Sequence, residues 1–301
     1  MADKQQLQVS GLELSKWRDA AISAAVSANV SITEVDWLLQ EIAELDRLTL
    51  RTGSFKDRSE IQLKLPLQKL STLWQRRLTE SLPVQYITKV APWRHFDIKV
   101  SHDVLIPRPE TESLIDLAIA ATADNLMMRQ GHWADLGTGS GIIALGLADT
   151  FSDAKIHAVD FSAEALSMAR LNADNCGLRN RIKFYQGSWW EPLDSLKGKF
   201  SGMVSNPPYI PTSTLPELQP EVFKHEPHLA LDGGNDGLEC IRHLVETSSD
   251  YLKPGGIWLI EMMMGQADRV MEMLRDRGSY SKIEIHSDLA GIERFALAYR
   301  S

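Results

Sequence analysis

The chain has 301 residues, of which 44% are apolar and 24% charged, with a net charge of −8. That is enough apolar material for a sizeable core in one large or two ordinary domains. The acidic balance argues against a broad nucleic-acid face, which needs clustered Lys and Arg. Two cysteines, Cys176 and Cys240, stand in no metal-ligand spacing, and the eight histidines form no HxxxH or HxH pair. A disulfide framework and a metal site are therefore not expected. The chain has no run of eighteen apolar residues, so no membrane span is predicted. Met1-Ala2-Asp3-Lys4 opens neither an apolar signal core nor an Arg- and Ser-rich transit segment, so the cytoplasm is the expected compartment.

Residues 1–82 are predicted to be a helical domain. Leu14, Trp17, Ala21, Ala24 and Ala25 recur at helical spacing. Ser31-Ile32-Thr33-Glu34 has the form of a capping box with Ser31 as N-cap. Val35, Leu38, Leu39, Ile42 and Leu45 continue the stripe, and Gly53-Ser54 marks a stop. A third helix is predicted near 67–82, with Leu70, Leu73, Trp74 and Leu78 on one face. With no acid–base constellation here, the domain serves packing or partner binding.

Residues 83–105 change period. Phe96, Ile98 and Val100 alternate with Asp97 and Lys99, which predicts a β-hairpin linker. The segment ends in Leu105-Ile106-Pro107-Arg108-Pro109-Glu110-Thr111-Glu112, where Thr111 or Glu110 is expected to cap a helix running to about Ala123. Arg108 between two prolines is held at low conformational entropy, which suits a preorganised contact, and it is expected to bind substrate.

Residues 106–301 are predicted to form an α/β domain. Strands are expected near 133–136, 155–160, 181–186, 202–206, 257–261, 282–286 and 294–299. Helices fall at 142–149, 162–176 (capped by Ser162), 236–252 and 266–275. This alternation implies a mostly parallel sheet with helices on both faces. The last two strands lie too close in sequence for a crossover helix, so they should be antiparallel neighbours. The segment from Ile210 to Asn235 is proline-rich with little periodicity, which marks a functional loop rather than a plain connection.

After the first of these strands come Asp135, Gly137, Thr138, Gly139, Ser140 and Gly141. The glycine spacing is G-x-G-x-G. A dinucleotide fingerprint would need glycine where Ile142 stands, which excludes a nicotinamide oxidoreductase, and no Walker-A lysine follows. Glycine permits positive φ and close backbone approach to a ligand. The Asp135 carboxylate can meet an ammonium or fix the loop through backbone N–H groups. Asp160, ending the next strand, can take two ribose hydroxyls. S-adenosylmethionine, with an amino-acid end, a ribose and no phosphates, suits this acidic glycine turn. Trp189 is favoured to flank its adenine and Ser188 can meet the adenine amine, while Trp190 is expected in the core.

Asn206-Pro207-Pro208-Tyr209 ends a buried strand. Neither proline can extend a sheet ladder, so an amide, a carbonyl and an aromatic ring are left at the strand's C-terminal edge, where α/β sheets bind ligands. The Asn206 side-chain oxygen and the Pro207 carbonyl can each accept one N–H of a planar NH₂ group. Tyr209 can pack on its flat face. Such orientation serves methyl transfer to an adenine or cytosine amine or to a glutamine amide.

Four blocks together resemble the HemK/PrmC family, the glutamine methyltransferases of peptide-chain release factors. They are Val104 to Glu112, Asp135 to Gly141, Asn206 to Ile210, and Glu226-Pro227 with Ala230 to Leu238. The resemblance implies a class I, S-adenosylmethionine-dependent, Rossmann-like fold with a seven-stranded, mostly parallel sheet and an antiparallel last strand. It implies a substrate glutamine in the Gly-Gly-Gln loop of a release factor. By matching position, Gly137 to Gly141, Asp160, Trp189 and Asn206 would contact the cofactor, and Asn206, Pro207, Pro208 and Tyr209 the glutamine. The helical domain would dock the release factor, with no direct nucleic-acid partner, and a monomer is expected. Three positions depart from the family pattern: Thr88-Lys89 lacks a linker glycine, Ser188 stands where an acid is common, and Glu261 is followed by Met262-Met263-Met264-Gly265. The other readings are a nucleic-acid amine methyltransferase using the same acceptor motif, and a cofactor-binding protein without activity.

Overall fold

The computed structural model describes residues 7–301; the first four residues, read above for targeting signals, lie outside them. The chain divides into two compact units, Met1–Lys89 with Pro220–His225, and Val90–Gln219 with Glu226–Ser301. Among the described residues no helix is long and apolar enough to cross a membrane.

The first unit is helical: α1 (Gly11–Ser27), α2 (Thr33–Ala43), α3 (Arg47–Thr52), α4 (Leu67–Glu80) and α5 (Val84–Thr88). A two-residue ladder pairs β1 (Gln8–Val9) with β2 (Ile61–Gln62). The α2 stripe is buried as its spacing predicts, with Val35, Leu38, Leu39 and Ile42 in the core. The chain breaks at Glu44, which is left-handed, and restarts at Asp46, whose side chain accepts from Thr49 N at 2.8 Å.

The capping box does not form. Ile32 holds the N-cap position, and the Ser31 hydroxyl bonds Thr33 Oγ1 instead. Glu34 is taken by Arg77, whose Nε and Nη2 donate to its two oxygens at 2.6 and 2.9 Å. A nearly buried guanidinium needs a bidentate carboxylate more than an exposed helix end needs its cap.

The second unit begins with the hairpin β3 (Val90–Trp93) and β4 (Phe96–Lys99), turning at left-handed Arg94. The expected linker thus starts as helix α5 and continues as a hairpin that clusters with the second unit. Buried Asn172 ties it there, accepting from Lys99 N at 2.7 Å and donating to Lys99 O and Ser140 O at 2.9 Å each. The helix expected from Thr111 is instead a 3₁₀ turn, Pro109–Glu112, followed by α6 (Ser113–Ala121). Thr111 does not cap it, because its hydroxyl is spent elsewhere.

The sheet contains β5 (His132–Leu136), β6 (Lys155–Asp160), β7 (Ile182–Gln186), β8 (Phe200–Ser205), β9 (Leu252–Glu261), β10 (Tyr280–Ser287) and β11 (Glu293–Arg300). The strand order is β10-β11-β9-β8-β5-β6-β7. β11 is antiparallel to both β9 and β10, and the pairs from β9 across to β7 are parallel. This is the seven-stranded, mostly parallel sheet with an antiparallel final strand that the sequence implied. Helices α7 (Ile142–Thr150), α8 (Ala163–Asn175), α9 (Glu239–Thr247) and α10 (Ala267–Arg277) complete the layers. One face packs Ala134, Leu136 and Met203 under Ile241, Leu244 and Val270. Alternation turns Trp133 to the other face. There Gly202 is obligatory, since a Cβ would lie 2.3 Å from the Trp133 ring. Strand order reverses between β5 and β8, a switch point where such sheets open a ligand crevice.

Candidate active site

The glycine turn leaves β5 with Gly137, Gly139 and Gly141 all left-handed. At Gly141 a Cβ would stand 3.1 Å from the Ala169 Cβ and 3.2 Å from its Cα, so close packing on α8 demands glycine. At Gly139 a Cβ would meet nothing within 4 Å. Gly139 N donates to Asp160 Oδ2 at 2.8 Å, and Asp160 Oδ1 accepts from Ser162 N at 2.9 Å. Burial raises the Asp160 pKa against these backbone bonds.

Asp135 fixes the loop. It is fully buried beneath the turn, and Oδ2 accepts from Thr138 Oγ1 at 2.5 Å and Ala144 N at 2.9 Å. Its Oδ1 has no hydrogen-bond partner among the described residues. Burial pushes its pKa up to about 7.

A cavity of about 400 Å³ opens over this turn. Its wall brings together Arg108, Thr111, Gly137, Thr138, Gly139, Ser140, Asp160, Ser188, Trp189, Asn206 and Pro208. Phe161, Pro227, Leu229, Ala230, Asp232 and Cys240 are also among its lining, none of them singled out as site residues from the sequence. Trp189 sits in the left-handed region at φ 50°, facing the cavity. Trp190 belongs to the core, stacked on Tyr251 at 4.4 Å with its Nε1 donating to Ser248 Oγ at 3.0 Å. Asp135, Gly141, Pro207 and Tyr209 adjoin the lining residues in the chain or the turn.

The strand end carrying Asn206 is anchored by Ser205, whose hydroxyl donates to Leu136 O at 2.6 Å. Asn206 Nδ2 donates to Thr111 Oγ1 at 3.2 Å. The Thr111 hydroxyl donates to Glu261 Oε2 at 2.7 Å, and Tyr209 OH donates to Glu261 Oε1 at 3.0 Å. Burial raises the pKa of both Glu261 and Tyr209. The Tyr209 carbonyl accepts from Gln266 Nε2 at 3.0 Å, and a Cβ on Gly233 would lie 2.8 Å from the Tyr209 Cα. The glycine-rich block 233–237 therefore packs straight onto Tyr209.

Arg108, at the rim, donates from Nη2 to Glu226 Oε1 at 2.6 Å, while Ile106 N donates to Glu226 Oε2 at 3.1 Å. Thr111, Glu226 and Glu261 are hydrogen-bonding residues to which sequence reasoning gave no site role. Thr111 and Glu226 lie in the quoted blocks and Glu261 enters only as a departure from the family pattern, and the partners of the three are 52 to 150 residues away.

Residues 111–235 match the family model described as methyltransferase small domain. A release factor glutamine methyltransferase of Synechocystis sp. is 53% identical over 294 residues, 96% of this chain and 97% of the relative. One from Thermosynechococcus vestitus is 45% identical over 292 residues, 96% of this chain and 99% of the relative. Among solved structures, the hMettl16 catalytic domain in complex with MAT2A 3′UTR hairpin 6 has a similar fold. Its TM-score is 0.54 at 16% identity, over 76% of this chain and 79% of that one. With the motifs quoted from the sequence and identity sustained along nearly its whole length, the chain belongs to the release factor glutamine methyltransferase family.

Proposed function

We propose that this chain transfers a methyl group from S-adenosylmethionine to the side-chain amide nitrogen of the glutamine in the Gly-Gly-Gln loop of peptide-chain release factors. The observation that carries the reading is Asn206 in the cavity wall, its NH₂ held by Thr111 and its oxygen left as an acceptor. The turn fits S-adenosylmethionine: Gly139 leaves open space where a Cβ would stand, and Asp160 ends the neighbouring strand beside it. In this reading Gly137 to Gly141 take the amino-acid end, Asp160 the ribose, and Trp189 with Ser188 the adenine. The bound molecule supplies an electrophilic methyl on its sulfonium.

The residues' own work is orientation. Asn206 Oδ1 and the Pro207 carbonyl accept the two N–H groups of the glutamine amide, which turns the nitrogen lone pair out of conjugation. Pro208 and Tyr209 hold the amide plane, and Arg108 stiffens the rim. Fixing a near-attack geometry can lower a barrier by roughly 7–11 kcal/mol. The nitrogen becomes acidic on methylation, so its proton passes to water without a strong base. The helical unit docks the release factor, and the enzyme works as a monomer in the cytoplasm.

Labelled S-adenosylmethionine, purified release factor and its Gly-Gly-Gln glutamine-to-alanine variant, with duplex DNA in parallel, test the reading. Label on wild-type factor alone is expected. Label on DNA and none on the factor would replace the glutamine with a nucleobase amine. In the same assay Asn206→Ala should lose roughly 10²–10³ in kcat, as for removal of one oriented polar group.

A further inference from the structure

We infer that Thr111 and Glu261 are positioning residues, a hydroxyl–carboxylate relay that fixes the Asn206 amide with its oxygen toward the acceptor. The inference rests on the functional reading above.

Glu261, at the end of β9, is 1% exposed and accepts one hydroxyl on each oxygen, Thr111 at 2.7 Å and Tyr209 at 3.0 Å. Both hydroxyls donate to Glu261, and in the ionised form, which burial opposes and Arg294 favours, a carboxylate can only accept. The single hydroxyl proton of Thr111 is thereby committed to Glu261. Its oxygen is left to accept, and what it accepts is Asn206 Nδ2 at 3.2 Å. An asparagine amide has two faces of opposite polarity, so committing NH₂ to Thr111 commits Oδ1 to the other side. Without the carboxylate the hydroxyl can turn and donate to Oδ1. The amide would then present its own N–H groups to a substrate NH₂, donor against donor. The same carboxylate holds the Tyr209 ring, so one buried group sets both side chains of the acceptor motif.

The motif's backbone does not depend on this relay. Ser205 Oγ anchors the strand end to Leu136 O at 2.6 Å, and Gln266 Nε2 anchors the Tyr209 carbonyl at 3.0 Å. Loss of the relay should thus turn side chains while leaving the chain path in place.

The test compares Thr111→Val, Thr111→Ser and Glu261→Gln with wild type on purified release factor. Steady-state kinetics are read together with calorimetric binding of S-adenosylmethionine. Thr111→Val and Glu261→Gln should lower kcat roughly ten- to hundredfold, the scale of groups that orient a catalytic residue. Both KM for the factor and cofactor affinity should stay within a few-fold of wild type. Thr111→Ser, which keeps the hydroxyl, should recover most of the rate. An unchanged kcat in Thr111→Val, or a Thr111→Ser as slow as Thr111→Val, overturns the relay while wild type still labels the factor. Loss confined to cofactor binding in all three variants overturns it as well, since that would mark a merely structural contact. If Thr111→Val does not fold, the isosteric Glu261→Gln decides. Absence of label on the factor with wild type overturns the functional reading instead.

Discussion

Asp135 and His157 sit on adjacent strands and titrate in opposite senses. The Asp135 carboxyl, raised from 3.8 to about 7 by burial, keeps its proton in the folded state where the unfolded chain has lost it. The unfolded state then binds fewer protons, so this group makes stability fall as pH rises from about 4 to 7. His157 hydrogen bonds His132 and Tyr185 at 2.8 and 3.1 Å, and burial lowers its pKa from 6.5 to about 4. Here the unfolded state binds more protons between about 4 and 6.5, so stability rises with pH and the two slopes oppose. Asp135→Asn removes the first slope and fills the unpartnered oxygen's place with an amide. The variant should gain on wild type as pH rises from 4 to 7, by up to ~4 kcal/mol, the equivalent of returning the carboxyl to its ordinary value. Urea unfolding at pH 5 and pH 8 checks this. An equal difference at both pH values would show that Asp135 is not the group responsible.

At the scale of elements, the cavity wall is joined across sequence by Glu226. It links the Ile106–Arg108 segment to the Pro227–Ala230 turn, and both line the cavity or flank residues that do. Glu226→Ala leaves the Ile106 N–H without its acceptor and a guanidinium without its partner. The Arg108 side chain is 32% exposed, so water softens the second loss. A cost of about 1–3 kcal/mol is expected, together with weaker S-adenosylmethionine binding, while Glu226→Gln should lose less of each. Thermal melting and calorimetry read both quantities. A variant matching wild type in both would mean that the two segments hold their places independently. The proline-rich stretch after Tyr209 is likewise more ordered than its lack of periodicity suggested. Its ends pair, with Ile210 N donating to Leu231 O at 3.0 Å and Gly233 N to Ile210 O at 2.8 Å. Between them lie two 3₁₀ turns and the short helix Pro220–His225.

At the scale of the whole molecule, that short helix clusters with the helical unit and not with its sequence neighbours. Arg77 Nη1 donates to Glu221 Oε1 at 2.7 Å, and His225 Nε2 donates to Glu80 O at 2.8 Å. Arg77 thus has two carboxylates, Glu34 bidentate and Glu221 through a third nitrogen. Glu221→Ala should cost the chain about 1 kcal/mol, less than loss of Glu34, because Glu34 still neutralises the guanidinium. Denaturation followed by tryptophan fluorescence would register the shift. An unmoved midpoint would show that Glu34 alone satisfies Arg77.

The sequence by itself determined the elements and where along the chain the candidate site falls. Helical stripes such as Val35, Leu38, Leu39 and Ile42 were legible because burial repeats with the helix period. The β5 glycine turn and Asn206-Pro207-Pro208-Tyr209 were legible because glycine and proline restrict the backbone locally, whatever surrounds them. The antiparallel pairing of β10 and β11 followed from the short span between them. Only the tertiary structure decided who bonds to whom. Glu34 reads locally as a cap residue, yet Arg77, 43 positions away, claims it. Thr111 reads as a helix start, yet its hydroxyl belongs to Glu261, 150 positions away. A side-chain hydrogen bond carries no period, and a buried charge takes whichever partner the fold brings near. Such pairs become visible only once burial has made leaving them unpaired too costly.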